Sequence, residues 1–297
     1  MTHPPVILIA GPTASGKSRL ALETAQATSL ATGAVILNAD SQQLYADLDV
    51  LSARPSAEDE AMAEHRLYGV ADAADAWSVG RWTRAILAEL ETLETQGRPA
   101  LLVGGTGLYF LSLTRGLADI PQVLPEVRNR IQARYDTDGE ADFRRRLAEV
   151  DPMAETAIAP GDRQRLVRAL AVHDQTGRAL SAFKADTRPL IAPDRWTGLV
   201  VEPPRERLYA ACDRRVDVMI QTGAMDEVRA LLARRLDPAL PALKAVGVRE
   251  LGAYLAGEMT RNDAVAAMKQ ATRNYAKRQL TWFRNQTPDW PRHPGFA

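Results

Sequence analysis

The stretch Val6-Ile7-Leu8-Ile9-Ala10-Gly11-Pro12-Thr13-Ala14-Ser15-Gly16-Lys17-Ser18 decides how the rest of the chain is read. Its first five residues are an unbroken apolar run, the pattern of a strand covered on both faces of a sheet. Gly11-Pro12 stops the run, and Gly11 to Ser18 fits the G-x-x-x-x-G-K-S phosphate-binding loop. Its glycines let the backbone curl so that N–H groups and the start of the next helix face an anion. Lys17 adds a point charge, and the Ser18 hydroxyl can ligate Mg2+. An incidental Gly-rich turn would not require a buried strand before it and a helix after it. Lys17 to about Thr28 reads as that helix. The expected ligand of Gly11, Pro12, Thr13, Ala14, Ser15, Gly16, Lys17 and Ser18 is therefore a phosphate or diphosphate.

Outward from the loop the pattern repeats. Ala34-Val35-Ile36-Leu37-Asn38 is a second short buried strand, leading to Asp40. Val79 to Thr95 has helical periodicity, with Trp82, Ile86, Leu90 and Leu93 on one face. Gly97-Arg98-Pro99 breaks it, and Ala100-Leu101-Leu102-Val103 is a third strand, halted by Gly104-Gly105. This alternation predicts an α/β fold, a parallel sheet with helices on both faces. After about Leu113 the texture changes. Segments 123–135, 140–150 and 162–177 read as Arg-rich helices with no apolar strand between them, and Thr197 to Val201 marks a return to the sheet. Residues 1–113 and 197–297 are expected to form the core with its C-terminal helices, and 114–196 a mostly helical insertion domain. The tail Thr287 to Ala297, with three prolines and a glycine, reads as irregular.

Composition bounds the partners. Hydrophobic residues make up 46% and charged residues 25%, which excludes a disordered tail, a collagen-like fibre and a disulfide scaffold. Lys plus Arg and Asp plus Glu each number 37, but the charges are uneven. From Arg261 onward seven basic residues (Arg261, Lys269, Arg273, Lys277, Arg278, Arg284, Arg292) face two acids (Asp263, Asp289), enough for a basic face on a neutral protein. The single cysteine, Cys212, excludes an internal disulfide and a multi-cysteine zinc site. No stretch approaches the ~20 apolar residues of a membrane span, so a cytoplasmic protein with no membrane partner is expected.

In open parallel sheets, ligands sit beyond the carboxyl ends of the strands. Asp40 therefore belongs near the loop, as general base, metal ligand or helix N-cap, and all three readings stay open. The third strand ends in Val103-Gly104-Gly105-Thr106, placing a hydroxyl on the same rim.

Together these residues resemble a known family. Gly11–Ser18, Asp40-Ser41, Gly104-Gly105-Thr106 with Leu108-Tyr109, and Asp162–Leu170 are similar to the signature stretches of tRNA dimethylallyltransferases, also called tRNA isopentenyltransferases. Lys244–Glu250, Tyr254–Glu258 and Thr272–Arg284 extend the resemblance over nearly the whole chain, in order. It implies transfer of a dimethylallyl group from dimethylallyl diphosphate to N6 of adenosine 37 in the tRNA anticodon loop, with Mg2+. The loop would then grip an isoprenoid diphosphate. Lys17 and Ser18 would bind the diphosphate and its metal, Thr106 the leaving group, and Arg215 the diphosphate. Asp40 matches the family's general base. Ser41, Gln42 and Gln43, with Asp40, match its adenine- and loop-contacting stretch. Gln164, Arg165, Leu166, Val167 and Arg168, together with Arg128, match tRNA contacts on the insertion, and Lys277, Arg278 and Arg284 would meet phosphates. A monomer is expected.

Two stretches depart from the pattern: Leu51-Ser52-Ala53-Arg54-Pro55 carries arginine where lysine is common, and Gln42-Gln43 replaces the small or apolar residues some members carry. The absence of a C-terminal Cys/His pair points to a bacterial-type member. Two rivals share the loop, an ATP-dependent small-molecule kinase and a nucleotide-gated RNA-binding protein. The first leaves the basic C-terminal helix unexplained, and the second leaves Asp40 and Thr106 without a task.

Overall fold

A computed structural model of the chain describes residues 5–27, 33–118, 120–185 and 187–295. Contacts divide it into two compact units, residues 1–114 with 191–297, and residues 115–190. The sequence set the insertion at 114–196, whereas Ile191 is buried in the first unit and its N–H bonds to the Leu113 carbonyl at 3.2 Å.

The first unit opens with β1 (Val6–Ala10), α1 (Lys17–Ala27), β2 (Val35–Asn38), α2 (Ala57–Met62), β3 (Glu64–Arg66), α3 (Val79–Thr95), β4 (Ala100–Gly104) and α4 (Gly107–Thr114). The second unit holds α5 (Pro125–Val150), α6 (Pro152–Ala157), α7 (Arg163–Thr176) and α8 (Leu180–Ala185). The chain then returns through β5 (Trp196–Val201), α9 (Arg205–Gln221), α10 (Ala224–Ala233), α11 (Val248–Leu255), α12 (Arg261–Gln286) and β6 (Arg292–His293).

The strands form one sheet in the order β3-β2-β4-β1-β5-β6, and every pair is parallel. Both faces are covered, which explains the unbroken apolar runs. Leu8, Leu37 and Leu102 pack on one side with Trp82, Ile86, Phe110 and Phe283. Ile9, Ile36 and Leu101 pack on the other with Ala21 and Leu22 of α1. Strand alternation thus sends neighbouring residues of β1 into two different cores.

Two strands escape the sequence reading. β3 is three polar residues held by ion pairs, with Glu64 bridging Arg66 and Arg98 at 2.7 Å each. The tail expected to be irregular contains β6, which pairs Val200 with Arg292 and Val201 with His293. Its prolines fall on either side of the pairing residues, so they cost the ladder no donor. Thr28 and the last two residues lie outside the described residues.

The second unit has its own core. Leu147, Leu166 and Val172 form one buried cluster, and Phe143 with Val167 another. α5 breaks at Gly139 (φ 77°), where the sequence placed a gap between two helices. Arg144 ties the unit together through Glu140 at 2.8 Å, Glu155 at 3.0 Å and the carbonyls of Ile158 and Ala159. Among the described residues, no helix is long and apolar enough to cross a membrane.

Candidate active site

The loop after β1 starts with Gly11, whose N–H bonds to the Gly104 carbonyl at 3.2 Å. This bond ties the ends of β1 and β4 together. Ala14 (φ 61°) and Gly16 (φ 87°) take left-handed backbone angles that turn the loop. Lys17 is buried at the start of α1, and its Nζ donates to the Pro12 carbonyl at 3.3 Å. Burial lowers the Lys17 ammonium from 10.5 to about 8, opposed by the Asp40 carboxylate and assisted by Arg215. Burial also lowers the Arg215 guanidinium, whose Nη1 donates to the Thr13 hydroxyl at 3.1 Å. Ser15 Oγ is buried without a hydrogen-bond partner. Two desolvated cations and one carboxylate leave this end of the site electropositive, ready for an anion.

Asp40 is held by Asn38, a residue the sequence reading passed over. Asn38 Oδ1 accepts the Asp40 N–H at 2.7 Å, and its Nδ2 donates to the carbonyls of Asp40 and Leu67, each at 3.0 Å. Asp40 Oδ1 accepts the Gln42 N–H at 3.0 Å. Asp40 therefore caps a turn, because no helix begins there, and its second oxygen remains open to the cleft. Thr106 joins the same cluster: its hydroxyl accepts the Ser41 N–H at 2.9 Å and donates to Ser41 Oγ at 3.2 Å. A Cβ on Gly104 would fall 2.0 Å from the Ala39 carbonyl, so only glycine lets the two strand ends approach this closely.

One cleft gathers several of these groups. Thr13, Asp40 and Arg215 line one part; Leu51, Met219, Val246 and Met268 supply an apolar wall; Tyr275 and Arg278 come from α12. Burial pushes up the phenols of Tyr68, Tyr109 and Tyr275, with the Asp40 carboxylate acting in the same direction. The Cys212 thiol, buried, is pushed up to about 11 and is inert.

Several expected contacts are placed differently. Leu166 and Val167 point into the core of the second unit, so their side chains hold α7 together while Gln164, Arg165 and Arg168 lie on its exposed face. Arg165 is bound to Asp162 at 2.5 Å, and Arg128 is exposed on α5. Gln43 donates to the carbonyls of Ser52 and Ala53 at 3.1 and 2.7 Å, which commits its amide to the turn below the cleft. The basic excess after Arg261 is largely neutralised. Lys269 pairs with Asp217 at 2.7 Å, Arg273 with Asp213 at 2.5 Å, and Arg284 grips Glu202 at 2.6 Å. Lys277 and Arg278 are exposed, with Arg278 lying 5.8 Å over the Tyr275 ring. The sequence reading also gave no role to Gln279, although it touches both the phosphate loop and the turn after β4.

Comparison with known proteins extends this geometry. The family model described as IPP transferase matches residues 43–286, and the one described as isopentenyl transferase matches residues 4–75. A tRNA dimethylallyltransferase of Caulobacter sp. (strain K31) is 56% identical over 287 residues, covering 97% of this chain and 92% of its own. That of Phenylobacterium zucineum (strain HLK1) is 56% identical over 290 residues, covering 98% and 92%. The crystal structure of a tRNA isopentenylpyrophosphate transferase from Bacillus halodurans is similar with a TM-score of 0.68 at 30% identity, over 97% of this chain and 89% of that one. A eukaryotic dimethylallyltransferase seen acting on tRNA has a TM-score of 0.80 at 26% identity, over 94% of this chain and 70% of its own.

Proposed function

The chain belongs to the IPP transferase family, and from that premise we infer that it is a tRNA dimethylallyltransferase, acting on N6 of adenosine 37 in the anticodon loop. The donor we propose is dimethylallyl diphosphate, with diphosphate as the second product. The observation that carries this reading is the cleft itself, which joins an electropositive end at Thr13 and Arg215 to an apolar wall at Leu51, Met219 and Met268, with Asp40 beside them. A diphosphate with a short hydrocarbon tail matches that polarity. The kinase alternative is not favoured, because the relatives at 56% identity are dimethylallyltransferases.

The chemistry follows from charge. The bond between the allylic carbon and the diphosphate oxygen breaks with its electron pair leaving on oxygen, and the carbon becomes partly cationic. Lys17 and Arg215 are desolvated by burial, so each stabilises the departing charge more strongly than it would in solution. The Thr106 hydroxyl, anchored by the Ser41 N–H, donates its one hydrogen to Ser41 Oγ in the free site and would turn it to the same leaving group when the donor binds. The adenine amine attacks the allylic carbon and sheds a proton to Asp40. One oxygen of that carboxylate is occupied by the Gln42 N–H, so the other takes the proton. The adenosine must leave its stack to reach the cleft, at a cost of a few kcal/mol. Ser41 and Gln42 line its approach in this reading. Lys277 and Arg278, and separately Arg128, Gln164 and Arg168 of the second unit, are the proposed RNA contacts.

A divalent cation fits as a companion of the donor. Among the described residues, no three His, Cys, Asp or Glu side chains are gathered as ligands. Ser18, at the start of α1, is the residue that would hold Mg2+ beside the donor's diphosphate. When bound, it neutralises charge on the leaving group. We place the enzyme, as a monomer, in the cytoplasm with its tRNA.

The test is transfer of labelled dimethylallyl groups to an anticodon stem-loop carrying adenosine at position 37, with wild type beside Asp40→Asn. The expected loss in kcat for Asp40→Asn is about 10²–10⁴-fold, with donor affinity unchanged within about twofold. Absence of transfer by wild type, or phosphorylation of a small acceptor from ATP, would sink the reading. Full activity in Asp40→Asn would discard the base.

A further inference from the structure

Gln279 lies on the buried face of α12, one turn after Tyr275 and two after Thr272, both of which line the cleft. Its Oε1 accepts the Thr13 N–H at 2.8 Å, and its Nε2 donates to the Gly105 carbonyl at 2.9 Å. The partners fix which end is which, because a backbone N–H requires an acceptor and a carbonyl a donor. A single planar amide thus spans the phosphate loop and the turn after β4. Gly105 accommodates it by having no side chain, since a Cβ there would fall 2.2 Å from Nε2.

The two segments it joins carry the groups assigned to the leaving diphosphate. Thr13 is fixed twice, by Gln279 at its backbone and by Arg215 at its hydroxyl. Thr106 follows Gly105 and is bonded to Ser41, the neighbour of Asp40. A fully bonded buried amide is costly to replace, because an apolar side chain would orphan both the Thr13 N–H and the Gly105 carbonyl.

We propose that Gln279 is a positioning residue that sets the spacing between the phosphate loop and the Gly105–Thr106 turn, so that Lys17, Arg215 and Thr106 converge on one diphosphate. The proposal rests on the donor assignment above. It places a determinant of donor affinity on the helix that also bears Lys277 and Arg278. Neither end of the amide touches the reacting atoms.

The experiment compares wild type with Gln279→Leu and Gln279→Glu by calorimetric binding of inorganic diphosphate with Mg2+, and by KM for donor and for stem-loop RNA. Gln279→Leu should weaken diphosphate binding and raise the donor KM about tenfold or more, while the RNA KM stays within about twofold. Gln279→Glu keeps the acceptor for Thr13 but sets a second oxygen against the Gly105 carbonyl. Protonation restores the missing donor, so its diphosphate affinity relative to wild type should recover from pH 8 to pH 6, with no such recovery in Gln279→Leu. If Gln279→Leu fails to fold, the pH recovery of Gln279→Glu decides. Wild-type diphosphate affinity in a variant that has lost only thermal stability, or an RNA KM that rises in step with the donor KM, would overturn the proposal. Diphosphate binding needs neither RNA nor transfer. A wild type that binds diphosphate but transfers nothing would therefore sink the assigned reaction and leave Gln279 separately judged.

Discussion

Raising the pH should release the donor long before an ordinary lysine would deprotonate. Burial holds the Lys17 ammonium at about 8, against 10.5 in water. It is then about 90% charged at pH 7 and about 10% at pH 9, so diphosphate affinity should fall about tenfold over that interval. A lysine at 10.5 would lose less than about 5% of its charge over the same range. The neighbours do not confuse the signal, because burial pushes the Cys212 thiol up to about 11 and the Tyr68, Tyr109 and Tyr275 phenols upward as well. Titration calorimetry of dimethylallyl diphosphate from pH 6.5 to 9.5, in two buffers of different ionisation enthalpy, reads both quantities. Affinity should drop with a midpoint near 8, and binding at pH 9 should take up close to one proton. Lys17→Met should bind weakly with no such limb. The ligand-free variant should also melt above wild type at pH 7, because a buried charge worth about 3 kcal/mol has been removed. That gap is full below pH 8 and closes as pH rises from 8 to 10.5, where the folded lysine has shed its proton and the unfolded one has not. An affinity that stays flat across this range, or the same limb in Lys17→Met, would refute the reasoning.

Two further perturbations test how the cleft is supported. Glu227 of α10 accepts the N–H groups of Asp49, Val50 and Leu51 at 2.7, 2.7 and 2.9 Å, holding the turn whose Leu51 and Ser52 line the cleft. Glu227→Ala should cost about 2 kcal/mol of stability and weaken donor binding, read by denaturant unfolding and calorimetry; unchanged binding would show that the turn holds itself. A Cβ on Gly107 would meet the Trp282 ring at 2.1 Å. Gly107→Ala should therefore destabilise by about 1–3 kcal/mol despite alanine's better helix propensity, and a stabilised variant in thermal melts would mean that Trp282 moves freely.

The centre of the fold was legible because its signals are local and apolar. β1, β2 and β4 are short buried runs stopped by Gly11, Asn38 and Gly104, and the phosphate loop is contiguous. β3 and β6 carry no such signal, since edge strands of two or three polar residues are made by their neighbours' hydrogen bonds and by ion pairs such as Glu64 with Arg98. Residue type alone also misread Leu166 and Val167, which belong to a matched stretch but face the core because a helix turns its successive residues to different sides. Counting Arg284 as free charge failed for a related reason: its partner Glu202 is distant in the chain. Gln279 was hidden most deeply, with its two partners 266 and 174 residues away.

The strand order has a consequence for how the molecule comes into being. β1 is made early and can pair with β4 once Gly104 has emerged, but its other edge must wait for β5 at Trp196–Val201. Between the two, residues 115–190 are synthesised with a core of their own, so the half-built sheet is held open while another body folds. Gln279 and then Gly295, which lies against the Ser15 carbonyl, reach the phosphate loop later still. The phosphate loop is thus translated well before the residues that complete its surroundings.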